Sequence, residues 1–157
     1  MRSEPQASSF ALSEDEGLAV AETASAFADA VPAGRDAIYR ELAAQAVDGA
    51  VDAALVETLE KVCVLALETG KARQLGKAET ERLLVGVYRR TPGGSALTKE
   101  TAEINTVLGQ LTGRSLESVR ISNRMPGRYL LDLAVDGIAI QLSIEPEGLE
   151  VRSVNTG

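Results

Sequence analysis

Residues 125–151 read MPGRYLLDLAVDGIAIQLSIEPEGLEV, and three turns inside that stretch set the fold. Met125-Pro126-Gly127-Arg128 has proline second and glycine third, as a type II turn requires, because its third residue needs a positive φ. Asp136-Gly137 lies between two apolar runs as a two-residue hairpin loop. Glu145-Pro146-Glu147-Gly148 reads as a type I turn with its glycine placed for a bulge. The turns predict four strands, over 117–124, 128–136, 138–145 and 149–154. An Asp-Gly loop pairs Val135 with Ile138, and counting outward pairs Leu133 with Ile140, Leu131 with Leu142 and Tyr129 with Ile144. All these pairs are apolar and share one face, since side chains alternate along a strand. Val119, Ile121, Leu149 and Val151 extend that face, and Arg120, Ser122, Asp132, Gln141, Ser143, Glu150 and Arg152 take the other.

A meander with one apolar face must be covered. The nearest cover is a helix predicted from Thr98 to Thr112, in which Ile104, Val107, Leu108 and Leu111 recur at spacings of three and four. Gly113 follows at the left-handed position that ends helices. Upstream, Ser13-Glu14-Asp15-Glu16 is a capping box for a helix over 14–31 that stops before Pro32, with Leu18, Ala21, Ala24, Ala28 and Val31 as its inward stripe. A second helix, Arg35 to Asp48, turns Ile38, Leu42 and Ala46 inward. A third, over 50–69, carries Val51, Leu55, Leu59, Val62 and Ala66 on a stripe wide enough for a central position. KARQLGK at 71–77 sets a glycine among basic residues and reads as a linker or a frayed extension. Residues 79–90 read as a fourth helix with Leu83, Leu84, Val87 and Tyr88 inward. Thr91-Pro92-Gly93-Gly94-Ser95 reads as a break.

The expected fold class is therefore α+β: an N-terminal helical module of about four helices, followed by one helix packed on a four-stranded antiparallel β-meander. The expected divisions are a flexible tail over 1–12, the helical module over 13–91, a linker over 92–97 and the helix-plus-sheet module over 98–157.

Composition excludes more than any motif establishes. The 157 residues include no histidine, which removes the usual general base near neutral pH, the commonest zinc ligand and the serine and cysteine triads built on it. The single cysteine, Cys63, lies in the apolar run Val62-Cys63-Val64-Leu65 and reads as a small core residue. Apolar residues make up 45% but aromatics only 3%, so the core is Ala, Val, Leu and Ile, and its helices approach closely. No apolar run reaches the roughly 18 residues needed to cross a bilayer, and the first residues lack a basic-then-apolar leader pattern. The expectation is a cytoplasmic protein without cofactor or metal. Acid pairs such as Glu57/Glu60 and Glu100/Glu103 fall on outer helix faces and read as solvated surface rather than catalytic carboxylates. The glycine-rich start before Thr98 could receive an anion at a helix N-terminus, but a plain linker is the simpler reading.

Charge is segregated along the chain. Residues 1–60 hold 3 basic and 12 acidic side chains, 61–128 hold 12 and 6, and 129–157 hold 1 and 5. Arg89 and Arg90 close the fourth helix, while Arg114, Arg120, Arg124 and Arg128 collect at the helix-to-sheet junction and first hairpin. Arginine binds carboxylates and phosphates with two parallel hydrogen bonds. Three destinations compete for these six: the acidic first 60 residues of the same fold or of a second copy, an acidic protein partner, and nucleic acid. Nucleic acid is the weakest, because only Tyr88 and Tyr129 lie nearby for base stacking. The expectation is a non-catalytic interaction or assembly factor, an accessory subunit of a cytoplasmic complex, whose partner is another protein or a second copy of itself. The alternative is a module that binds a small acidic ligand or nucleic acid at the Arg-rich junction.

Overall fold

In the computed structural model, which describes residues 9–146 and 148–156 and the backbone alone of Lys77, the capping box at Ser13 is formed. The Glu16 N–H donates to Ser13 Oγ at 3.3 Å, and the Ser13 N–H donates to Glu16 Oε2 at 2.9 Å. It starts α1 (Glu14–Ala30), which is followed by α2 (Ala37–Val47), a 3-10 turn over Ala53–Leu55, α3 (Val56–Glu68) and α4 (Lys71–Arg90). Two short strands, β1 (Phe10–Ala11) and β2 (Ala50–Val51), pair antiparallel beside them. These elements form one compact unit that ends at Ser95; a second unit begins at Ala96.

The expected tail over 1–12 needs correction at its end. Residues 1–8 lie outside the described residues, but Phe10 pairs with Val51, the Leu12 N–H donates to the Gly49 carbonyl at 2.9 Å, and Leu12 is buried. Two apolar side chains and a ladder hold this segment, which composition alone marks as polar. The inward stripe of α1 is also rotated from its expected position: Gly17, Val20, Ala21, Ala24 and Ala28 are buried, whereas Leu18 is 55% exposed. The cause is a close crossing. A Cβ on Gly17 would lie 2.2 Å from the Ala46 carbonyl oxygen of α2, so α1 turns its barest position toward α2. Ile38, expected inside, is exposed for the same geometry, while Leu42 and Ala46 are fully buried. Leu59, Val62, Cys63 and Ala66 of α3 complete the core with Leu84 and Val87 of α4.

Residues 71–77, expected as a linker or a frayed extension, and 92–97, expected as a linker, are helical. Gly70, in the left-handed conformation at φ 71°, ends α3, and α4 then runs unbroken through 71–77. Gly76 does not break it, because a Cβ there would meet the buried Thr80 side chain. Residues 92–97 open α5 (Pro92–Gly109). The Gly94 N–H donates to Thr91 Oγ1 at 3.3 Å and the Ser95 N–H to the Thr91 carbonyl at 2.8 Å. Pro92 takes the first helical position, where no N–H is needed. Thr-Pro-Gly-Gly is thus a capped helix start.

Arg90, the last residue of α4, ties the unit together. Its Nη2 bonds Glu16 Oε2 at 2.6 Å, its Nη1 donates to the Ala11 carbonyl at 3.0 Å, and its guanidinium lies 5.1 Å from the centre of the Phe10 ring. Burial alone pushes the Glu16 carboxyl upward, but the Ser13 N–H and the Arg90 guanidinium outweigh it and hold the group below the usual glutamate value. A depressed folded pKa means stability that is present above the unfolded value and lost as pH falls through the folded one. Glu16→Gln keeps the cap's shape and removes the charge. It should cost about 1 kcal/mol at neutral pH, and denaturation midpoints of the two proteins should converge as the pH is lowered below about 4.

The second unit contains α5 from Ala96 onward and a sheet of β3 (Leu116–Met125), β4 (Arg128–Val135), β5 (Ile138–Glu145) and β6 (Gly148–Thr156), antiparallel throughout in the order β3-β4-β5-β6. Asp136 and Gly137 both take positive φ, 44° and 78°, and the register pairs Val135 with Ile138, Leu133 with Ile140, Leu131 with Leu142 and Tyr129 with Ile144. Gly127, φ 77°, makes the tight turn before β4. The expected type I turn falls on Glu147, which lies outside the described residues; the bulge between β5 and β6 is at Gln141/Leu142. Ile104 of α5 packs with Ile140 and Leu142, ringed by Val107, Leu108, Leu111, Leu131, Leu133 and Val151. The fold is α+β, helices followed by a helix-covered meander.

Candidate interaction surface

One helix cannot cover four strands. An α-helix is about 10 Å across and strands are spaced about 4.8 Å apart, so α5 spans roughly half of the sheet. Its apolar cluster draws on β4, β5 and β6, and among the described residues β3 contributes nothing to it. Leu116, Val119 and Ile121 are consequently 59%, 53% and 62% exposed, although alternation places Val119 and Ile121 on the apolar face opposite Leu133 and Leu131. β3 is also an edge strand, and among the described residues no strand bonds its outer N–H and C=O groups. A ten-residue edge with exposed apolar side chains is a ready template for another chain.

The six candidate arginines divide. Arg120 and Arg124 both lie on β3, and neither has a hydrogen bond or ion pair among the described residues. Asp132, opposite Arg120 in the register, instead accepts from Gln141 Nε2 at 2.7 Å. Arg114, two residues before β3, donates from Nε to the Gln110 carbonyl at 2.9 Å. Arg128 is bonded to Glu145 across the β4–β5 ladder. Arg89 and Arg90 belong to the first unit; Arg90 is engaged by Glu16, while Arg89 is exposed. The strand itself therefore brings together only Arg120 and Arg124.

The opposite edge of the sheet differs in sign. A groove of about 350 Å³ between α5 and β6 is lined by apolar Ile104, Val107, Leu149 and Val151 together with Glu100, Glu103 and Glu150. These three carboxylates have no ion pair among the described residues. Sequence reading missed this groove, because Glu100 and Glu103 look like ordinary outer-face helix acids until β6 is placed beside them.

Elsewhere the titratable groups serve the fold. Hydrogen bonds from Arg40, Lys61 and Arg82 hold the carboxyls of Asp36, Glu57 and Glu79 below their usual values. Burial, with the nearby charge of Glu60, pushes the Cys63 thiol up to about 12, so it stays protonated at neutral pH. Glu60 Oε2 accepts from the Gly93 N–H at 2.8 Å, which fills the α5 N-terminus considered above as an anion site. Among the described residues no three His, Cys, Asp or Glu side chains converge as a metal would require, and no helix is long and apolar enough to cross a membrane. No known protein family, curated protein or solved structure matches the chain.

Proposed function

We propose that this chain is a non-catalytic interaction protein, an assembly factor or accessory subunit of a cytoplasmic complex, and that it takes its protein partner along β3. The observation that supports this reading is the coincidence on one strand of a sheet edge, an exposed apolar face and two arginines that have no partner among the described residues. An added strand would bond to the edge by main-chain hydrogen bonds, while its side chains on the two faces gave specificity. Carboxylates on that strand would satisfy Arg120 and Arg124.

The test is recovery of partners from the native host by tagged wild type and by Arg120→Glu/Arg124→Glu, each with and without nuclease. Neither arginine has a hydrogen bond or ion pair among the described residues, so the double variant should keep its stability within about 1 kcal/mol. A stoichiometric, nuclease-resistant protein should be recovered by the wild type and reduced by about tenfold or more with the variant, since each side chain would leave a carboxylate facing a like charge. Equal recovery by both proteins removes β3 from the reading, and recovery of nucleic acid in place of protein replaces it.

A further inference from the structure

Building on the reading of β3 as the partner-binding edge, we propose that its occupant is the β6 edge of a second copy of this chain, so that copies join head to tail through one continuous sheet. Strand direction allows it. Four antiparallel strands leave β3 and β6 running in opposite directions, and a second copy placed beside the first by simple translation therefore brings an antiparallel β3 against β6.

The side chains then choose a register. Opposed residues in an antiparallel pair must belong to the same face. Leu149 and Val151 share the apolar face through Ile144 and Leu142, whereas Glu150 shares the other face through Ser143. On β3, Val119 and Ile121 are on the apolar face and Arg120 on the other. Setting Glu150 opposite Arg120 of the next copy sets Leu149 opposite its Ile121 and Val151 opposite its Val119. Two apolar cross-strand pairs and one ion pair form together. Both stretches are regular, since the bulges lie outside 118–123 of β3 and 148–151 of β6.

Charge supports the same occupant. Arg120 of β3 and Glu150 of β6 lie on the same face of the sheet, neither has an ion pair among the described residues, and this register sets them opposite each other, whereas Glu100 and Glu103 lie on the α5 side. The same placement sets Val119 and Ile121 beside Leu149 and Val151 of the neighbouring copy, on the side of the sheet on which its α5 and groove lie. Because the two edges are different surfaces, the contact does not close on itself, and assembly continues past the dimer.

The experiment is sedimentation of the full chain over a concentration series for wild type, Ile121→Lys, Leu149→Lys and a 1:1 mixture of the two variants. Both positions are exposed, 62% and 38%, and circular dichroism checks that each variant is folded. Wild type should grow beyond a dimer with concentration. Each variant alone should associate about tenfold or more weakly, because a lysine on an edge strand opposes pairing. Their mixture should stop at a heterodimer, formed by the intact β6 of Ile121→Lys and the intact β3 of Leu149→Lys. A Leu149→Lys protein that still dimerises while Ile121→Lys does not would mean β3-to-β3 pairing and overturn the proposal. A wild type that stays monomeric throughout overturns it too. In that case the functional reading survives only if wild type, and not Ile121→Lys, retains a different protein; if both retain it or neither does, that reading falls as well.

Discussion

Gly17→Ala should be among the most damaging single substitutions in the first unit, lowering its stability by about 2 kcal/mol net. Two effects oppose each other. Alanine is a better helix former than glycine by about 1 kcal/mol, which favours the variant. Against it stands a Cβ that would lie 2.2 Å from the Ala46 carbonyl oxygen. That atom is backbone on a neighbouring helix and cannot swing aside, so α1 and α2 must separate along their whole contact, and overpacking of this kind costs typically about 1–3 kcal/mol, occasionally more. The clash outweighs the propensity. Gly86→Ala in α4 is the matched control, since the nearest atom to its Cβ would be Glu16 Oε1 at 3.9 Å. It should stabilise by about 0.5–1 kcal/mol. Denaturant midpoints followed by circular dichroism would show the opposite signs; two shifts in the same direction would mean that α1 and α2 do not cross at Gly17.

Ile140→Ala should have a comparable or larger effect on the sheet. Ile140 is buried in one cluster with Ile104 and Leu142, and it is central in the row Val119, Leu133, Ile140, Val154. Truncating a buried isoleucine costs about 2–5 kcal/mol, a large share of what so small a core can supply. The expected result is early loss of hydrogen-exchange protection across β4 and β5. Ile121→Ala, in the same face but 62% exposed, should stay within about 0.5–1 kcal/mol of wild type. Equal protection loss in both variants would show that the sheet is buried evenly and that β3 is not open.

The contrast between these residues explains what sequence reading could reach. The Asp136-Gly137 hairpin is legible because a two-residue loop with two positive φ angles leaves a single register, and every pair counted outward from it is present in the sheet. Alternation likewise puts Val119 and Ile121 on the correct face. It does not say whether anything lies above that face, because cover depends on the width of α5 relative to the sheet. In α1, alanines occur around most of the helix, so hydrophobic periodicity is shallow, and the choice of buried side passes to the glycine that fits against Ala46. Gly76 and Gly94 look like breaks in a string of letters. Their role is to make room for Thr80 and for the Tyr88 carbonyl. The arginine cluster is partly misleading for the same reason: Arg90 and Arg128 have partners distant in sequence, whereas Arg120 and Arg124 differ from them only in what the fold leaves beside them.

Arg90 carries a further consequence, for how the chain is made. Its contacts reach back to Phe10, Ala11 and Glu16, the last 74 residues earlier. During synthesis α1 and β1 leave the ribosome long before their clasp does, and domains complete their packing only when the last contributing segment has emerged. The apolar Phe10 therefore waits without its anchor while three helices are added. A pause in translation before residue 90 has emerged would prolong that exposed interval, and one after it has emerged would not.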